Sequence, residues 1–186
     1  MGLIIDRKFR ALPLVDNCDG GVPYQSTEVA IGRDDNALVV RFDCRETAPV
    51  SKGKQYNDPL WEGDIVELLI TTDASDRYLE IEINPDGIGY AVLIDNRDGE
   101  GDIAIEPLAV PPFTAETACC DGGWTTTFKV PFDRLKQLGW DPEQCRLNLY
   151  RQDFDRQGNL HLSALSPTMS ATFHKPRAFV PVIIKE

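Results

Sequence analysis

Hydrophobic and polar residues alternate with a period of two along most of this chain. Residues 78–84 show it most clearly: Leu79, Ile81 and Ile83 fall on one side, and Tyr78, Glu80, Glu82 and Asn84 on the other. Residues 65–72 repeat the pattern, with Val66, Leu68 and Ile70 set against Glu67. Residues 27–31 and 37–44 flank Gly32-Arg33-Asp34-Asp35-Asn36, whose turn chemistry predicts a hairpin. Further strands are predicted over 89–95, 102–108, 114–119, 124–131, 146–153, 160–165 and 179–185. Only 133–138 has helical spacing, with Asp133 suited to its start and Gly139 to its C-terminal stop. About ten short strands and one short helix predict an all-β fold, a two-layer antiparallel β-sandwich of immunoglobulin-like or jelly-roll type. No linker composition interrupts the pattern, so residues 1–186 are read as one domain.

Charge narrows the partners. Against 19 basic residues stand 30 acidic ones, giving a formal net charge of −11. That field repels phosphate, so neither nucleic acid nor an anionic membrane surface is an expected partner. No apolar run approaches the ~18 residues of a membrane span. The opening residues Met1-Gly2-Leu3-Ile4-Ile5-Asp6-Arg7-Lys8 lack the basic-then-apolar order of a signal peptide. As written the chain is expected in the cytoplasm; it would be secreted if a leader had been removed. Cys18, Cys44, Cys119, Cys120 and Cys145 are odd in number and show no CxxC spacing, which predicts free thiols. Unsatisfied strand edges would allow a homodimer.

Candidate chemistry is sparse. No Gly-x-Ser-x-Gly and no phosphate-cradling loop occur. His161 alternates with Leu160 and Leu162 on a predicted strand, and His174 lies in a predicted loop. A haem would have to use Met169, His161 or His174 as axial ligands, and Met169 and His174 share one loop. Residues 95–102 place Asp95, Asp98, Glu100 and Asp102 among glycines. Hard oxygen ligands with glycines between them suit a structural Ca2+, although the spacing is not that of an EF-hand and a solvated hairpin tip is the alternative. Glu67, Glu80 and Glu82 share one sheet face if their strands are neighbours. Such a face could be merely solvated, could hold a glycosidase-type pair such as Glu67 and Glu80, or could bind a ligand.

Trp61 makes the ligand-binding reading specific. It sits in the turn-rich loop Asp58-Pro59-Leu60-Trp61-Glu62-Gly63-Asp64 that enters the Glu67 strand. Sugar C–H groups lie flat on an aromatic face, while sugar hydroxyls need paired donors and acceptors. Glu67, Asn84, Arg41 and Arg151 are the candidates for those polar contacts. Trp124 is in phase with Thr126 and Phe128 and reads as core, and Trp140 as packing against the helix.

Four blocks, taken in order, resemble the family 9 carbohydrate-binding modules. Residues 27–42 resemble that family's first hairpin, and residues 60–67 with 78–87 its central strand pair. Residues 124–135 resemble its strand-to-helix passage, and residues 146–151 with Ser166-Pro167-Thr168, Phe173, His174 and Pro176 its closing strands. The resemblance implies a non-catalytic β-sandwich that binds a saccharide between two aromatic side chains and often carries structural calcium. Trp61 and Glu67 match one aromatic and its neighbouring acid. Leu165 stands where relatives often have tryptophan, which leaves Phe173 as the candidate second ring. A neutral saccharide is therefore the expected ligand, with a larger glycan-active assembly as the implied setting. The alternative is a structural or protein-interaction sandwich that has lost the sugar site.

Overall fold

The structure is a computed structural model that describes residues 2–72, 76–96 and 103–185. Among the described residues, fourteen strands form two facing sheets, accompanied by one α-helix. In chain order the strands are β1 (Leu3–Ile5), β2 (Arg10–Pro13), β3 (Val15–Asp16), β4 (Thr27–Arg33), β5 (Ala37–Arg45), β6 (Ile65–Thr71) and β7 (Arg77–Ile83). They continue with β8 (Gly89–Asp95), β9 (Ala104–Pro107), β10 (Thr114–Cys120), β11 (Gly123–Pro131), β12 (Arg146–Phe154), β13 (Leu160–Ala164) and β14 (Val180–Ile184). The helix α1 spans Phe132–Gln137.

The larger sheet runs β1-β14-β12-β6-β7-β8-β9, and the smaller β10-β11-β5-β4-β2. One side of β12 pairs along β6; its other side meets β14 at Arg146 and Leu147 and β13 from Tyr150 to Phe154. β13 in turn pairs with β3. Pairing is antiparallel except between β1 and β14, which run parallel and so depart from the purely antiparallel expectation. The three strands of residues 3–16 were not legible in the sequence, because two to four residues are too few for alternation to register.

The core lies where the alternation puts it. Val66, Leu68 and Ile70 of β6, Leu79, Ile81 and Ile83 of β7, and Leu147 and Leu149 of β12 face the smaller sheet. They pack against Val29, Val40, Phe42, Trp124 and Phe128 in one cluster. Trp124 is fully buried, and Phe42 stacks on Phe128 at 6.1 Å. The helix begins one residue before Asp133, after Pro131, and Gly139 beyond its end takes the left-handed conformation (φ +87°). Trp140 folds back to stack on Phe132 at 5.7 Å.

The outer face of the larger sheet is also covered. Leu60, Ile65, Leu69, Tyr78, Tyr90, Val92, Tyr150, Phe173 and Phe179 make a second apolar cluster there. Leu60 comes from the segment before β6, and Phe173 and Phe179 from the segment after β13. The polar positions of β6 and β7 therefore do not form a solvated face: Glu67, Glu80 and Glu82 are 5%, 5% and 4% exposed.

Candidate functional site

Register brings the three glutamates together. Across four neighbouring strands, Tyr150 lies opposite Glu67, Glu67 opposite Glu82, and Glu82 opposite Tyr90. Glu80 lies two residues from Glu82 on the same face. Directly opposed side chains have Cβ atoms about 4.5–5.5 Å apart, and like charges so placed repel. The glutamates border a cavity of about 330 Å³ that opens beside Trp61, with Gln152, Phe173 and His174 also on its walls.

The aromatic walls are held from behind. Trp61 lies on the short 3₁₀ turn Leu60–Glu62, where Leu60 is buried and Trp61 is 49% exposed. Its indole meets Tyr90 edge-on at 5.4 Å and an interplanar angle of 76°. Gln152 Nε2 donates to the carbonyls of Trp61 (2.6 Å) and Gly63 (2.8 Å), which ties the turn to β12. A Cβ at Gly63 would lie 2.4 Å from the Val50 carbonyl oxygen, so this close approach requires glycine. Phe173 stacks on Tyr150 at 4.2 Å. The segment carrying Phe173 is anchored by Asn17, whose Nδ2 donates to Thr168 Oγ1 and the Ser170 carbonyl, both at 2.8 Å. His174 Nδ1 shares a 2.9 Å hydrogen bond with the Tyr78 hydroxyl and lies 3.7 Å from Glu80 Oε2.

Burial governs the protonation of this site. It raises Glu67 well above the ordinary carboxylate range, and the charge of Glu80 adds to the effect. Burial raises Glu82 likewise, reinforced by Glu67 and Glu80. Glu80 is pushed up to about 7 by burial, partly offset by its interaction with Glu82. Burial lowers His174, which favours the neutral imidazole, and pushes Tyr90 up to about 12. Glu80 Oε2 and Glu82 Oε2 are buried without a hydrogen-bond partner.

Of the saccharide contacts expected from the sequence, Trp61, Glu67 and Phe173 line this cavity, together with Glu80 and Glu82 of the predicted acidic face. Asn84 lies fully buried at the end of β7, where its Oδ1 accepts from the Asp86 and Ile88 amides and its Nδ2 donates to the Lys52 carbonyl. Arg41 projects from β5 in the other sheet, paired with Asp43 through two 2.9 Å hydrogen bonds. Arg151 is fully buried between the sheets. Tyr90 and Gln152 were missed, and His174 was named only as a candidate haem ligand and within the closing-strand block. Alternation in β8 and β12 puts Tyr90 in phase with Val92 and Gln152 in phase with Tyr150, so parity was the available signal for two of them.

Asp95 closes β8 opposite Arg77. Asp98, Glu100 and Asp102 lie outside the described residues. A different acidic group stands at one end of the sandwich: Glu46, Asp64 and Asp153 bring ligand oxygens within 4.8 Å of one another, a spacing that could hold a metal ion. A cation already sits there. Arg151 donates to Glu46 Oε2 at 2.7 Å and reaches Asp153 Oδ2 at 3.2 Å, while both Asp64 oxygens accept backbone amides from Val50 and Phe154. Calcium needs six to eight free oxygen ligands at about 2.3–2.6 Å. With the guanidinium in place, these residues do not fit it.

No family profile matches the sequence, and no curated protein matches it. Solved structures do match. A protein from Bacteroides uniformis ATCC 8492, provisionally named as carbohydrate-binding, superposes with a TM-score of 0.74 over 96% of this chain and 86% of that one, at 16% identity. A family 9 carbohydrate-binding module from Caldicellulosiruptor kristjanssonii in complex with cellotriose gives 0.68 over 98% and 93%, at 11% identity. This chain has the fold of a family 9 carbohydrate-binding module. The glucose complex of a family 9 module from the same organism gives 0.66 over 98% and 95%, again at 11% identity. At such identities the likeness describes the path of the backbone.

Proposed function

We propose that this chain is a non-catalytic saccharide-binding domain whose ligand stacks on Trp61 and hydrogen-bonds to Glu67 and its neighbours in the outer cavity of the larger sheet. The observation that carries the reading is a half-exposed indole at the mouth of a cavity lined by three buried carboxyls. An apolar ring face beside clustered polar groups is the combination a pyranose requires. The fold neighbours crystallised with cellotriose and glucose support the same ligand class.

Catalysis fits less well. A glycosidase separates its two carboxyls electrostatically, keeping one protonated and the other ionised. Here burial drives Glu67, Glu80 and Glu82 in the same direction. The Glu46–Asp64–Asp153 group is assigned to structure, with Arg151 as its cation.

Tryptophan fluorescence tests the reading directly, because Trp124 and Trp140 are buried and Trp61 is exposed. Wild type and Trp61→Ala are titrated with a panel of mono- and oligosaccharides. A saturable change in wild type that disappears in the variant is expected. Silence across the panel from folded protein would overturn the proposal in favour of an interaction domain without a sugar site.

A further inference from the structure

We propose that the preferred saccharide carries a free amine, and that Glu67, Glu80 and Glu82 hold its ammonium group in the cavity beside Trp61. The proposal rests on the saccharide-binding reading and names the class of sugar.

The molecule supplies its own comparison. It buries two groups of three carboxyls. In the first, Glu46 and Asp153 pair with the guanidinium of Arg151, which is fully buried beside them and Asp64. In the second, no lysine or arginine lines the cavity among the described residues. Among the described residues, the titratable groups facing the glutamates are Tyr78 from β7, Tyr90 from β8, Tyr150 from β12 and His174 from the segment after β13. None of these is a permanent cation, and burial disfavours the charged imidazole of His174.

Two further observations point to a ligand. Glu80 Oε2 and Glu82 Oε2 lack partners although both side chains are more than nine-tenths buried. They border a cavity of about 330 Å³ that is open at Trp61. Buried carboxyl oxygens without partners are costly unless something donates to them. A sugar hydroxyl supplies one donor and no charge. An ammonium supplies three donors and the charge that Arg151 provides at the other group. The exposed ring of Trp61 then selects a sugar over a bare inorganic cation. Binding of an ammonium favours the ionised carboxyls, so protons are released on complex formation.

The test is isothermal titration of the wild-type protein at pH 6.5 with glucosamine, glucose and N-acetylglucosamine, in two buffers of different ionisation enthalpy. Glucosamine is expected to bind about tenfold more tightly than either neutral sugar, the difference between a charge-assisted and a neutral hydrogen bond. Its heat should depend on the buffer, reporting released protons, and the preference should shrink in Glu82→Gln. Equal or tighter binding of glucose would overturn this inference and leave the saccharide reading standing. Binding of cyclohexylamine as tightly as glucosamine would also overturn it, since the sugar would then contribute nothing. No binding of any sugar would overturn both.

Discussion

Replacing Glu80 by glutamine should stabilise the protein, and by an amount that grows with pH. In the unfolded chain Glu80 ionises around its ordinary value of 4.5; in the folded protein burial holds that proton to about 7. A carboxyl raised in this way contributes its full stability below the lower value and loses it as pH rises through the upper one. Each pH unit between the two is worth about 1.36 kcal/mol, so the wild type should forfeit about 3 kcal/mol between pH 4 and pH 8 that Glu80→Gln does not. Burial lowers His174, 3.7 Å from Glu80, and so disfavours a compensating charge there. Removing Glu80 also lifts its repulsion from Glu67 and Glu82, which acts in the same direction. Urea unfolding of both proteins at unit pH intervals measures the difference. With slopes of about 1–3 kcal/mol per molar urea, the gap between midpoints should widen by roughly 1–3 M and level off above pH 7. A gap that stays constant across the range would mean that Glu80 binds its proton equally well folded and unfolded. The electrostatic account of the site would then be wrong.

Two other perturbations probe the frame around the cavity. Arg151→Leu leaves three buried carboxyls without their cation and should destabilise by about 3–5 kcal/mol, lowering the thermal midpoint by roughly 10 °C for a chain of this size; a loss under about 2 °C would refute its role as counter-cation. Asn17→Ala removes the donor to Thr168 and Ser170 and should cost about 1–3 kcal/mol in urea unfolding. It should also weaken saccharide binding, because the segment it pins carries Phe173; unchanged affinity in the fluorescence titration would detach Phe173 from the site.

Alternation told which face of a strand a residue occupies, and that much of the fold was legible. It placed Leu79, Ile81 and Ile83 inward and Glu80 and Glu82 outward, as the structure has them. It does not tell which sheet a strand joins. Arg41 and Glu67 both point away from the core, yet they lie on opposite outer surfaces because β5 and β6 belong to different sheets. Applied strictly, the same parity would have excluded Arg151, which shares its phase with Leu147 and Leu149 and turns toward the core end of the sandwich. Nor does alternation reveal what covers a face. Leu60, Phe173 and Phe179 come from irregular segments where no period exists to be read, and they turn an apparently solvated row of acids into a buried one. Burial is what changes the chemistry. Exposed, Glu67, Glu80 and Glu82 would be ordinary surface carboxylates; enclosed, with no arginine or lysine beside them among the described residues, they hold their protons to higher pH, and it is the covering segments that make this difference.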